Sequence, residues 1–158
     1  MDQSIDEIKK EIGEDVIEIS LCDGEVVLKV ESTKWKDVVD ALKDKCKFDM
    51  LIDLCAVDYR DGDERFEVVV HLYGLGIKKR IRVKSRCSGE IQSVCDIYPA
   101  ANWFEREAYD LFGIHFEGHP NLKRILCHDN FEGHPLRKDF DKRKRSDILK
   151  PNDLMDEM

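Results

Sequence analysis

The chain has 158 residues, enough to bury a core as one domain, with 42% hydrophobic and 38% charged residues and a formal net charge of −8. That acidity argues against nucleic acid or an anionic membrane as a partner of the surface as a whole. No run approaches the roughly 20 apolar residues that span a bilayer, and Met1–Lys10 lacks the apolar segment of an export signal, so a soluble cytoplasmic chain is expected, touching a membrane only through a partner.

Ile5, Ile8 and Ile12 at helical spacing, stopped by Gly13, predict a short first helix. Ile17, Ile19 and Leu21, then Asp23-Gly24, then Val26, Leu28 and Val30, predict a β-hairpin, because Asp-Gly suits the tight turn between alternating runs. Ser32 or Thr33 is the expected cap of a helix whose apolar stripe is Trp35, Val38, Val39, Leu42 and Cys46. The unbroken apolar run Met50–Val57 reads as a strand buried on both faces. A turn at Arg60–Asp63 follows, then a strand with Phe66, Val68, Val70 and Leu72 on one face. The next strand sets Lys78, Arg80, Arg82 and Lys84 against Ile77, Ile81 and Val83. Such a basic stripe is either a solvated strand guarded by its charges or a docking face for an acidic partner. Ser88 is expected to cap another helix carrying Ile91, Val94, Cys95 and Tyr98, ended by Pro99.

Strands joined by hairpins, with helices between them, predict an α+β fold: a two-layer mixed sheet with helices on one face. Residues 1–99 form this domain, 100–140 a marked helix and an extended arm, and 141–158 a charged, flexible tail. The six cysteines (Cys22, Cys46, Cys55, Cys87, Cys95, Cys127) show no C-x-x-C spacing and are expected to be reduced thiols.

The helix Asn102–Gly113 is bounded by a good N-cap, a Glu105 placed as in a capping box, and a closing glycine. Phe104, Ala108, Leu111 and Phe112 form its apolar arc; Trp103, Arg106, Glu107 and Asp110 gather opposite, where Arg106 and Asp110 can pair one turn apart. Glu105 and Glu107 point to different faces, which disfavours a catalytic acid pair. His115, His119, His128, His134 and Cys127 include enough donor types for a metal-dependent enzyme, but their spacing is poor. The repeated Phe-Glu-Gly-His-Pro at Phe116–Pro120 and Phe131–Pro135 reads more simply as two equal turns. His71 reads as an ordinary strand residue. The basic residues Arg137-Lys138 and Lys142–Arg145 have no interleaved aromatic beyond Phe140 of the kind a nucleic-acid site uses for stacking.

Three phrases, W-F-E-R-E-A-Y-D-L-F-G-I (Trp103–Ile114), G-H-P-N-L-K-R-I-L (Gly118–Leu126) and E-G-H-P-L-R-K-D-F (Glu132–Phe140), together resemble the thirty-kilodalton-subunit family of respiratory complex I, the NADH-quinone oxidoreductase. The resemblance implies a non-catalytic structural subunit of the peripheral arm of a membrane-bound NADH-quinone oxidoreductase, on the cytoplasmic side. No metal or cofactor of its own is implied; the whole complex would use iron–sulfur clusters and quinone. Implied partners are a hydrogenase-large-subunit-like quinone-site subunit and smaller cluster-bearing, ferredoxin-like subunits. Related subunits of energy-converting hydrogenases and F420-dependent dehydrogenases are the alternative. Phe131 stands where the family commonly has tryptophan, and a short charged segment follows Phe140 in place of its proline-led continuation. The residues expected to hold the partner are Trp103, Arg106, Glu107, Asp110, His119, Pro120, Arg124, His134, Pro135, Arg137, Lys138 and Asp139, with Arg106, Arg124 and Arg137 as bidentate contacts.

Overall fold

The computed structural model describes residues 8–13, 15–141 and 143. Ile5 of the expected first helix and most of the charged tail therefore lie outside the described residues. Residues 8–12 are helical and bury Ile8 and Ile12, and Gly13 closes the turn with φ +70°. Strands β1 (Val16–Cys22) and β2 (Glu25–Val30), helix α1 (Trp35–Asp44), and strands β3 (Met50–Asp58), β4 (Phe66–Gly74) and β5 (Lys79–Cys87) follow. Then come strand β6 (Glu90–Gln92), helix α2 (Ala101–Phe112) and strand β7 (His115–Glu117).

The main sheet runs in the order β1-β2-β5-β4-β3 and is mixed: β2 and β5 are parallel, and the other neighbours are antiparallel. Asp23 and Gly24 both take positive φ, as the predicted hairpin turn requires. Cross-strand register aligns Leu28, Val83, Val70 and Leu54 in one row across four strands. Those side chains are all within 3% of full burial, and the apolar stripe of α1 (Trp35, Val38, Val39, Leu42) joins the same core. The fold is α+β, as the alternating strands imply.

Local details depart from expectation where register or distant contacts decide. A bulge between Val16 and Glu18 turns Ile17 out, so it is 66% exposed and does not share a face with Ile19. The run Met50–Val57 is not buried on both faces. It forms an edge strand, and a bulge between Leu51 and Asp53 puts Leu51 and Leu54 inside while Met50, Ile52 and Val57 face out. The strand enclosed on both faces is β4, next to it.

Helix α1 starts at Trp35 without a side-chain cap from Ser32 or Thr33 and ends at Asp44, before Cys46. The helix expected from Ser88 to Tyr98 is instead the short strand β6 and a single turn closed by Tyr98 N–H on Val94 O at 2.8 Å. Strand β6 pairs in parallel with β7. The chain beyond Gly113 is therefore no loose arm at its start: Ile114 and Phe116 are fully buried. The basic stripe lies on β5, at the centre of the sheet. Arg80 and Arg82 face Glu25 at 3.7 and 3.5 Å, Lys84 and Arg86 face Glu67 at 3.2 and 3.6 Å, and Lys78 sits in the preceding turn.

Candidate functional site: a carboxylate-organised arm around α2

Helix α2 begins at Ala101 with Ala100 as its N-cap residue, so neither the Asn102 cap nor the Glu105 capping box forms. Phe104, Ala108 and Phe112 pack on the core as their spacing predicts. Glu105 turns inward and is fully buried. Its Oε1 accepts Val94 N–H at 2.8 Å; its Oε2 accepts the Ser93 hydroxyl at 2.6 Å and the Cys95 thiol at 3.2 Å. Burial pushes the Glu105 pKa up against those donors, and burial with the nearby carboxylate pushes the Cys95 thiol up to about 12. Glu105 is thus the organiser of the turn after β6.

Asp110 does the same for the segment beyond β7. It is fully buried rather than sharing an exposed face with Arg106. Arg124 donates to Oδ1 at 2.7 Å, and the N–H groups of Ile125, Leu126 and Cys127 donate to Oδ2 at 3.0, 2.7 and 2.8 Å. Burial alone would raise its pKa, but the three backbone donors and Arg124 outweigh it and hold the carboxyl at about 2. Arg106, freed from the expected pair, donates to the carbonyls of Lys123 and Arg124, both at 3.1 Å, and lies over the Trp103 ring.

The C-terminal end of α2 leaves carbonyls without helical partners, and the arm supplies them. His134 Nδ1–H donates to Asp110 O at 2.9 Å, Leu136 N–H to Leu111 O at 3.0 Å, and the Arg137 guanidinium to the carbonyls of Phe112 and Gly113. A cation at this end also complements the helix dipole. Gly113 makes the approach possible: its φ is +73°, and a Cβ there would lie 2.5 Å from His134 Nε2 and 2.6 Å from Arg137. Burial and the neighbouring arginines keep the His134 pKa below the usual range despite its bond to Asp110 O.

A third carboxylate fastens the arm's far end. Buried Asp58, at the end of β3, receives Arg65 on both oxygens at 2.7 and 2.6 Å and also accepts Arg60 N–H and Lys138 N–H, each at 2.7 Å. The same guanidinium holds Asp139 through two bonds of 2.8 Å. The paired arginine, working against the cost of burial, holds the Asp58 carboxyl well below the usual range.

These contacts sort the sequence-predicted residues. Asp110 is internal, and Arg106, His119, Arg124, His134, Pro135 and Arg137 are half-buried. The arginines and histidines among them bond to this chain's own backbone or carboxylates. Trp103, Glu107, Pro120, Lys138 and Asp139 are exposed. Sequence reasoning missed Leu126 and Leu136, which stand 64% and 52% exposed on the arm, and Glu105 and Asp58 as organisers. An apolar residue directly after or before a fixed turn was the available signal.

The proposed metal donors of the arm do not converge. Both ring nitrogens of His119 are engaged, Nε2 by Asn102 O at 3.2 Å and Nδ1 by Asn121 N–H at 3.0 Å, and His128 packs edge-on against Phe131. No described helix is long and apolar enough to cross a membrane.

The sequence pattern of the family described as respiratory-chain NADH dehydrogenase, 30 Kd subunit, matches residues 28–146. Relatives named as the C subunit of NADH-quinone oxidoreductase include one from Methylobacterium sp. (strain 4-46), 45% identical over 139 residues, covering 85% of this chain and 65% of that protein. Another, from Xanthobacter autotrophicus, is 46% identical over 121 residues, covering 74% of this chain and 58% of that protein. One from Thiobacillus denitrificans is 44% identical, covering 84% and 72%. The chain thus spans less than two thirds of the length of the first two. A chain in the structure of the membrane-bound sulfane sulfur reductase, an archaeal respiratory membrane complex, superposes with a TM-score of 0.78 at 27% identity, covering 89% of this chain and 85% of that one.

Proposed function

This chain belongs to the respiratory-chain NADH dehydrogenase 30 Kd subunit family, and from that premise we propose that it is a non-catalytic, structural subunit of a membrane-bound NADH-quinone oxidoreductase-type complex, attached at the cytoplasmic side through its partners. The partner of this reading is the quinone-site subunit, with the cluster-bearing subunits nearby; iron–sulfur and quinone chemistry belong to them, and this chain contributes no redox cofactor. The observation that carries the reading is where the buried charge goes. Asp58 and Asp110 are spent on arginines and on backbone N–H groups of the arm, and Glu105 on the turn after β6, which is the work of shaping a surface rather than of turning over a substrate. The surface so fixed exposes the apolar side chains Trp103, Leu126 and Leu136 as well as the charged Glu107, Lys138 and Asp139, a mixture of residue types that suits a protein interface.

Arg106, Arg124 and Arg137 serve this interface mainly by setting its shape. The test replaces Leu126 and Leu136 together by aspartate and Trp103 by alanine, in the full complex. The expected outcome is a melting temperature of the isolated chain within about 2 °C of the parent, since exposed positions carry little stability. Recovered complex and its quinone-reductase activity should fall in parallel, at least several-fold. Assembly at the parent level with reduced turnover per complex would refute the structural reading and point to a direct part in the reaction.

A further inference from the structure

Outside the arm, the outer face of the sheet brings together three metal-ligand types that no hydrogen bond occupies. Asp53 and Cys55 stand two residues apart on β3, so both project to the same side. His71 is the direct cross-strand neighbour of Asp53 on β4 and the diagonal neighbour of Cys55. A carboxylate oxygen, Sγ and an imidazole nitrogen of the three lie within 4.8 Å of one another. Among the described residues none of these side chains makes a hydrogen bond or an ion pair, unlike the Cys95–Glu105–His119 group, where Cys95 donates to Glu105 and both Glu105 and His119 bond to the backbone.

We propose that Asp53, Cys55 and His71 form a binding site for a borderline divalent cation of the zinc class, held by one oxygen, one sulfur and one nitrogen, with water in the fourth position. The mixed donor set and the count of three protein ligands suit a tetrahedral ion with one open place. Water has room there: a cleft of about 320 Å³ opens beside Asp53 and His71, lined also by Glu25 and Arg82. The cations that act on His71 and Cys55, Arg82 and Lys84, are already paired with Glu25 at 3.5 Å and with Glu67 at 3.2 Å, so they do not stand against the ion unopposed. Partial burial and Arg82 lower the His71 pKa from its ordinary value. Burial raises the Cys55 thiol pKa; on binding, its proton passes to solvent and the thiolate takes the metal. The ion would tie the edge strand β3 to β4. It takes no part in electron transfer, and the inference is independent of the docking reading.

Cobalt(II) is the probe, because a thiolate ligand gives it a near-ultraviolet charge-transfer band and tetrahedral geometry gives it intense visible bands. Titrating the reduced full-length chain should produce both at one equivalent, and added zinc should bleach them. Cys55→Ser should abolish the charge-transfer band, and His71→Ala or Asp53→Asn should weaken binding at least tenfold, each with an unchanged far-ultraviolet circular dichroism spectrum. Cys22→Ser and Cys127→Ser should bind as the parent does. No charge-transfer band at stoichiometric cobalt, or a band that survives Cys55→Ser and disappears with Cys22→Ser or Cys127→Ser, would overturn the assignment.

Discussion

Arg124 places its guanidinium 2.7 Å from Asp110, 14 residues earlier in the chain, and thereby joins the last turns of α2 to the arm that follows β7. The fully buried carboxylate gathers three consecutive backbone N–H groups as well. Asp110→Ala removes all four acceptor contacts and strands Arg124 in a half-buried place. The expected cost is about 3 kcal/mol, a fall of roughly 6–12 °C in melting temperature for a chain of this size. Thermal denaturation checks it; a change under 2 °C would mean that the arm contributes nothing to folding.

The buried carboxylates of Asp58, Glu105 and Asp110 respond to pH in opposite senses. The Asp110 carboxyl is held at about 2, below its ordinary 3.8. Its stabilising contribution is therefore complete above the unfolded value and is lost as pH falls through the folded one. Asp58 is shifted in the same direction. Glu105 is raised, so its ionised form weighs against the fold, and the contribution it makes when protonated is lost as pH rises. Melting temperature measured from pH 2 to pH 8 should show the gap between parent and Asp110→Asn closing toward pH 2. Glu105→Gln keeps an acceptor for Val94 N–H and should gain on the parent as pH rises. A gap for Asp110→Asn that stays constant across the range would contradict the assigned shift.

At Gly113 the left-handed backbone and the close approach of His134 coincide. Gly113→Ala should cost about 2–4 kcal/mol from the strained φ and the clash together. Because the clash falls on the groups that cap α2, hydrogen exchange at Leu136 N–H should speed up more than at Leu72 N–H in the sheet centre. Equal acceleration at the two amides would place the strain elsewhere.

Much of the fold is legible from local pattern. Alternation marks β1, β2, β4 and β5, Asp23-Gly24 marks the hairpin turn, and the apolar arc with Gly113 marks α2. Each of these is a property of neighbours in sequence: the pleat repeats every two residues and the helix every 3.6, so side-chain order alone reports them. Pattern and structure part where a short segment has to choose between partners. Ile91, Val94, Cys95 and Tyr98 fit a helical stripe, yet β7 offers a parallel strand to residues 90–92, and Glu105 fixes the turn beyond them. The faces of Ile17 and of Met50–Val57 differ from their pattern because a bulge moves every later side chain across the sheet and leaves no mark in hydrophobicity.

The candidate site divides along the same line. The sequence by itself determined which residues are special: three phrases between Trp103 and Phe140 contain nearly every group that builds the arm. It did not determine what they bond. A helical wheel pairs Arg106 with Asp110 because they lie one turn apart, whereas in the folded chain Asp110 finds a better partner 14 residues away and three backbone donors besides. Asp58 meets Lys138 across 80 residues. Buried carboxylates are satisfied by whichever donors the packed chain brings to them, and a lone charge in a core is too costly to leave unpaired. Tertiary structure therefore decided the roles, because only closure of the sheet on α2 removes these carboxylates from water and makes their choice of partner matter.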